Sequence, residues 1–139
     1  MILSIVIPAR NEEDSLPLVL EEVGGVLHVL PEPSEVIVVD DHSQDGTGEL
    51  IGAFHSQFGH VKLIQRAALL GTGSALRDGY NAAQGEFILS SDADLSFTTN
   101  DMQRLFEKIK EGYDMVLGYK VEYKSLEKSA LKSSSIKFK

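Results

Sequence analysis

Cysteine is absent from the sequence, so disulfides and thiolate metal sites are excluded, and a reducing compartment fits. No apolar run reaches the length that a membrane span needs. The opening "MILSIVIP" has no basic segment ahead of it and passes directly into charged sequence, so no secretory signal is expected. Excess positive charge is missing as well. The 139 residues carry a formal charge of −8, unevenly spread. Residues 120–139 hold six lysines against Glu122 and Glu127, whereas residues 1–119 hold 7 basic and 19 acidic groups. So acidic a body does not bind nucleic acid through its general field. A phosphorylated ligand would need a cation as intermediary. No internal repeat or low-complexity linker divides the chain, and its length suits one domain with a real core.

What is present alternates between two periods. "ILSIVIP" reads as a buried strand stopped by Pro8, and a helix is expected from about Ser15 to Leu30. That helix carries Leu16, Val19, Leu20, Val23 and Leu27 at helical spacing and ends at Pro31 and Pro33. "EVIVVDD" is a second strand, followed by a turn-rich stretch and a helix through Ile51, Phe54 and Phe58. "VKLIQ" and "EFILSS" are the third and fourth strands, with the helix "GSALRDGYNAA" between them, stopped by Gly85. Thr98 and Asp101 fit a capping box for a helix over 100–110, and "YDMVLGY" is the fifth strand expected. The end, "KSSSIKFK", reads as frayed. This alternation predicts an α/β fold: a mostly parallel, Rossmann-like sheet flanked by helices and joined by right-handed crossovers.

In such a sheet ligands bind beyond the carboxyl ends of the strands. Four polar clusters follow strands and face that edge: "PARNEE", "DDHSQDGT", "QRAALLGTGS" and "SDADLS". In the last of these, Asp92 and Asp94 stand one residue apart, close enough to reach one hard divalent cation. Mg²⁺ and Mn²⁺ take oxygen ligands and keep places for phosphate oxygens. A solvated acidic turn has the same pattern; the position at the strand edge favours the metal. Asp40 or Asp41, ending the second strand, can accept hydrogen bonds from a base N–H or ribose hydroxyls. Asp45, Gly46 and Thr47 read mostly as turn and helix-cap chemistry, and the histidines as surface residues. Gly71 and Gly73 before a helix suit either a phosphate or a tight turn with close packing. Arg10, Asn11 and Glu12 either grip a nucleotide together with the backbone at Pro8 and Ala9, or lead into the first helix.

In this order and spacing, "IPARNEEDSL", "VIVVDDHSQDGT" and "LGTGSALRDGYNAAQGEFILSSDADLS" resemble family 2 glycosyltransferases of the GT-A fold. Within that family they look most like polyprenyl-phosphate (dolichol-phosphate) sugar transferases, over roughly residues 3–120. The resemblance implies a nucleotide-diphosphate sugar donor, GDP- or UDP-linked, held by Pro8, Ala9, Asn11, Glu12, Asp40, Asp41 and Asp92. It also implies Mn²⁺ or Mg²⁺ on Asp92 and Asp94, the catalytic pair, with Ser96 as a weaker metal contact where several relatives have Gln. A lipid-phosphate or other acceptor then attacks the anomeric carbon and inverts it, and the cation stabilises the departing diphosphate. Relatives run on for about a hundred residues that build the acceptor side. On this reading residues 1–119 are the donor-binding domain, and 120–139 a basic tail opening a truncated acceptor region. Lys120, Lys124, Lys128 and Lys132, in a helix, form a stripe suited to an anionic membrane. The implied location is cytoplasmic, at the cytoplasmic face of a membrane.

Other readings divide the remainder. A nucleotide-sugar-binding fragment without turnover is the alternative to the transferase, and a nucleotidyltransferase is a further enzyme reading. A receiver-type signalling module is mimicked by Asp40, Asp41, Asp92 and Lys120. However, a whole strand–helix unit precedes its aspartate pair, and too little chain separates Asp92 from Lys120.

Overall fold

Four apolar runs form one parallel sheet, and the helices between them decide its strand order. The computed structural model describes residues 1–29, 33–57, 59–94, 97–120 and 136–138. Strands β1 (Leu3–Ala9), β2 (Ser34–Asp40), β3 (Val61–Gln65) and β4 (Phe87–Ser90) lie in the order β3-β2-β1-β4. The connections are α1 (Leu16–Val29), α2 (Thr47–Gln57) and α3 (Thr72–Ala82). The steps from β1 to β2 and from β2 to β3 run one way along the sheet, and the step from β3 to β4 runs back past β1. Right-handed crossovers therefore put α1 and α2 on one face and α3 on the other. The helix–strand contacts agree, with α1 and α2 against β2, α2 against β3, and α3 against β1 and β2. The reversal between β1 and β4 opens a crevice at the carboxyl edge, where ligands bind in open α/β sheets.

Packing follows the period-two alternation of the strands. Val6, Ile37 and Val39 form a buried cluster with Ala75 of α3. Gly79 brings that helix close: a Cβ there would lie 2.3 Å from Val6 Cγ1. Alternate strand positions, among them Ile5, Ile7, Val36 and Val38, are equally buried, as are Leu16, Val19, Leu20 and Val23 of α1. The expected stripe of α1 is present except that Val26 is buried at its end and Leu27 is half-buried.

The amino edge of the sheet is closed by a buried carboxylate. Glu35 Oε1 accepts from Ser4 Oγ and from the Gln84 amide, each at 2.7 Å, while Lys62 Nζ lies 2.6 Å from Oε2. The Ser4 hydroxyl accepts from the Gly85 amide at 2.8 Å. A Cβ on Gly85 would stand 2.6 Å from the Ser4 nitrogen, so this glycine serves a close backbone approach. It does not stop α3, which ends at Ala82 with Ala83 as its C-cap. Burial pushes the Glu35 carboxyl up. Hydrogen bonds from Lys62, Ser4 and Gln84 outweigh that and hold it below the usual carboxylate range.

Met1–Ser96 and Phe97–Lys139 are two separate compact units. In the second, α4 (Thr99–Ile109) opens with the expected capping box: Thr98 Oγ1 accepts from the Asp101 amide, and Asp101 Oδ2 from the Thr98 amide. The fifth strand departs from expectation. Of "YDMVLGY" only Gly118 and Tyr119 are strand, within β5 (Gly118–Lys120), which pairs antiparallel with β6 (Ile136–Phe138) in a sheet of its own. An apolar alternation marks extended chain but does not choose its partner. The segment read as frayed thus supplies a strand, where Ile136 and Phe138 suit pairing better than the serines before them. Lys120 lies in β5 and so is not part of a helical stripe. Lys124, Lys128 and Lys132 lie outside the described residues. No described helix is long and apolar enough to cross a membrane.

Candidate functional site

Strands β1, β2 and β3 deliver their last residues to one edge at the same height, and β4 ends three residues lower, opposite Val6. Parallel register sets Ala9 beside Asp40 and Val6 beside Ser90. The ladder continues one step further through Asp41 N–H to the Ala9 carbonyl, Arg66 N–H to that of Asp40, and Ser91 N–H to that of Val6. Around the ends lies a cavity of about 320 Å³ lined by Pro8, Ala9, Arg10 and Glu12 after β1, and Asp41 after β2. Leu69, Gly71 and Thr72 add the wall before α3, and Asp92, Ala93 and Asp94 the wall after β4.

The first two loops are stitched together. Asn11 sits in the left-handed region (φ 53°), which asparagine tolerates. Its amide donates to Ser43 Oγ and its side-chain carbonyl accepts from the Gln44 amide, both at 2.9 Å. The Glu12 amide donates to Thr47 Oγ1 at 2.9 Å, and Gly46 N–H to Glu13 Oε2 at 2.7 Å. Asp45 accepts from the Thr47 amide and hydroxyl and from the Glu13 amide. These contacts give Asp45, Gly46 and Thr47 the turn and cap roles their residue types suggest. The Ser15 hydroxyl reaches across to the Ala93 carbonyl at 2.7 Å and also meets Glu12 Oε2, fixing the acidic turn against the first loop.

Asp41 organises the opposite wall. Its Oδ1 accepts from Arg66 Nη1 and from the Leu70 amide, each at 3.0 Å, and its Oδ2 from the Gly71 amide at 2.8 Å. Burial pushes the Asp41 carboxyl up, but the Leu70 and Gly71 amides and the charges of Arg66 and Arg10 outweigh it and hold it low. Arg66 also donates to the Gly71 carbonyl and to Ser74 Oγ, and its Nε lies 3.3 Å from Asp78 Oδ2. The start of α3 is thereby tied to the ends of β2 and β3. Gly71 takes φ 90° there, a conformation that other residues avoid.

Of the candidate residues, Pro8, Ala9, Glu12, Asp41, Asp92 and Asp94 come together around the cavity. Asn11 is exposed with its side chain turned to Gln44. Asp40 is 1% exposed, its Oδ1 accepting from the Ser43 amide and hydroxyl, and its Oδ2 has no partner among the described residues. Ser96 lies outside the described residues. The residue that sequence reasoning passed over is Arg66. Its signal was a lone cation in "QRAALLG", at an edge otherwise dominated by acids.

Comparison with known proteins decides the family. The profile described as "Glycosyl transferase family 2" matches residues 4–136. The chain belongs to this family. It is 37% identical over 114 residues to an undecaprenyl-phosphate 4-deoxy-4-formamido-L-arabinose transferase of Yersinia enterocolitica, and 39% identical over 114 residues to that of Photorhabdus laumondii. Each alignment covers 81% of this chain and 35% of the relative, so the family 2 chain spans about a third of these relatives. Among solved structures it is similar to S. aureus TarS 1–349 in complex with UDP-GlcNAc, with TM-score 0.66 and 25% identity. That match covers 80% of this chain and 32% of the other. A second is the mannosyltransferase PcManGT from Pyrobaculum calidifontis in complex with GDP-Man and Mn²⁺, with TM-score 0.54, 25% identity and coverage of 66% and 27%. The sheet flanked by helices is therefore GT-A-like and corresponds to part of larger proteins.

Proposed function

We propose that this chain is the donor-binding part of an inverting glycosyltransferase that moves a sugar from a nucleotide-diphosphate sugar to a polyprenyl phosphate. One observation carries the reading. A single cavity at the carboxyl edge has a buried, hydrogen-bonded carboxylate, Asp41, on one wall and the Asp92–Asp94 turn on another. The nucleoside lies toward Asp41 and the backbone of Pro8 and Ala9, with Asp40 and Asn11 supporting those loops from behind. The diphosphate lies toward Asp92 and Asp94. The donor set fits Mg²⁺ or Mn²⁺: two carboxylates from one turn, in a site open enough for water and phosphate oxygens to complete the shell. Ser96 would add a weaker oxygen contact. When bound, the cation neutralises the charge that develops on the departing diphosphate.

In the transfer, an anionic oxygen of the acceptor phosphate attacks the anomeric carbon from the face opposite the donor diphosphate. The new C–O bond forms as the old one breaks, and the nucleoside diphosphate leaves with the electron pair. The attacking oxygen carries no proton, so no strong general base is required. Glu12 and the Ser15 hydroxyl position the acidic turn through Ala93.

The test separates binding from turnover. Calorimetric titration with UDP- and GDP-sugars, with and without Mn²⁺, is expected to show metal-dependent binding. Transfer is then followed with radiolabelled sugar and polyprenyl phosphate. Pyrophosphate as a product would instead make the chain a nucleotidyltransferase. Binding without transfer would mark a chain that binds the nucleotide sugar without turnover.

A further inference from the structure

Asp40 and Asp41 are neighbours in sequence, yet their carboxylates serve opposite sides of the sheet. Asp41 lines the cavity and holds the wall before α3. Asp40 pairs in register with Gln65 of β3 and does not line that cavity. Its Oδ2 looks onto the first turn of α2: a Cβ on Gly48 would stand 3.5 Å from that oxygen and 2.9 Å from Gln65 Nε2. Its Oδ1 faces Ser43 and accepts from both the amide, at 3.0 Å, and the hydroxyl. With its proton committed to Asp40, the Ser43 hydroxyl turns a lone pair to the Asn11 amide, which donates at 2.9 Å. Asn11 holds a left-handed turn (φ 53°), a conformation that persists only where its surroundings fix it. Its chain neighbours Arg10 and Glu12 both line the cavity.

Resting on the donor site just described, we propose that Asp40 is a positioning residue: through Ser43 and Asn11 it sets where Arg10 and Glu12 stand against the nucleotide. The relay needs an oxygen in the Oδ1 place, because the Ser43 amide and hydroxyl are both donors to it. It does not need the negative charge. The second oxygen, Oδ2, has no hydrogen-bond partner among the described residues and takes no part in the relay. Without the Oδ1 acceptor, the Ser43 hydroxyl loses its fixed direction and the Asn11 amide its partner. A carboxylate that touched the nucleoside directly would behave in the opposite way. Its charge would matter, and Ser43 would be a bystander.

UDP and GDP are titrated, in the presence of Mn²⁺, into the unaltered 139-residue chain and into four variants. These are Asp40→Asn, Asp40→Ala, Ser43→Ala and the double variant Asp40→Ala with Ser43→Ala, with urea midpoints measured alongside. Asp40→Asn keeps an oxygen for Ser43 and is expected to bind within about threefold of the unaltered chain, even where its urea midpoint falls. Asp40→Ala and Ser43→Ala are each expected to weaken binding by roughly tenfold or more. The double variant should lose no more than either single one, because both cut the same relay. Ser43 is half-buried in a loop, so its variant tests the relay even if Asp40→Ala does not fold. Asp40→Asn binding as poorly as Asp40→Ala makes the charge decisive and overturns the relay. Ser43→Ala binding like the unaltered chain overturns it too, as do losses that add in the double variant. If the unaltered chain binds neither nucleotide, the donor site itself fails and this inference falls with it.

Discussion

Arg66 Nη1 lies 3.0 Å from Asp41 Oδ1, and both side chains are only 5% exposed. Such a pair is maintained by its further partners as much as by its own attraction, since desolvation of two charges costs several kcal/mol each. Asp41 has the Leu70 and Gly71 amides; Arg66 has Ser74, Asp78 and the Gly71 carbonyl. Replacing Arg66 by Met leaves a buried carboxylate without its cation, and the loss expected in urea denaturation is about 3–5 kcal/mol. Adding Asp41→Asn to that variant removes the stranded charge and is expected to restore part of the loss. A double variant as unstable as the sum of the singles would show that the two residues do not act as a pair.

Glu35 makes stability depend on acid pH. Its folded pKa lies below the ordinary value of 4.5, so between the two values the unfolded chain binds more protons than the folded one. Stability from Glu35 is then fully present above the unfolded value and is lost as pH falls through the folded value. Asp41 and Asp45, also lowered, add to the same fall from just under their ordinary 3.8. Urea midpoints measured from pH 7 down to 3 are expected to drop below about pH 4.5. Glu35→Gln should be less stable at neutral pH and show a shallower drop; an unchanged slope would remove Glu35 from the acid response.

The four-strand sheet was legible because each strand is an apolar run and each connection a helical stripe, two signals that agree. The edge that bears the cavity was legible for the same reason, since the polar clusters follow strands. Arg66 was not, because its partners Asp41 and Asp78 lie 25 and 12 residues away in sequence and only the fold brings them together. Gly79 was equally hidden: nothing local distinguishes a helical glycine that spares Val6 from one that merely weakens its helix. The fifth strand failed for the converse reason, a local pattern with no information about its partner.

Metal dependence follows from charge. On the proposed function, the donor brings a diphosphate to a wall that already carries Asp92, Asp94 and Glu12. Without a cation, carboxylate and phosphate repel; with Mg²⁺ or Mn²⁺ the same oxygens share its shell. Asp94→Ala is expected to abolish nucleotide-diphosphate binding in calorimetry, and Asp92→Ala to weaken it to an equal or lesser degree. Folding should survive, because both side chains are exposed. Binding that is undiminished in EDTA would take the metal out of the site.

The lysines of residues 120–139 are the one cationic region of an acidic chain, six against two glutamates. If the acceptor is the proposed lipid phosphate, which resides in a membrane, the chain has to reach that surface, and its acidic remainder is repelled by anionic lipid. Each lysine close to such a surface contributes on the order of 1 kcal/mol, and the attraction is confined to about a Debye length. Cosedimentation with vesicles containing phosphatidylserine is therefore expected to show weak binding that fades as salt is raised from about 0.05 to 0.5 M. Neutral phosphatidylcholine vesicles should bind less, and removal of residues 120–139 should abolish the difference. Equal binding to both vesicle types would point to apolar contact instead. No binding at low salt would deny this region any part in reaching the acceptor.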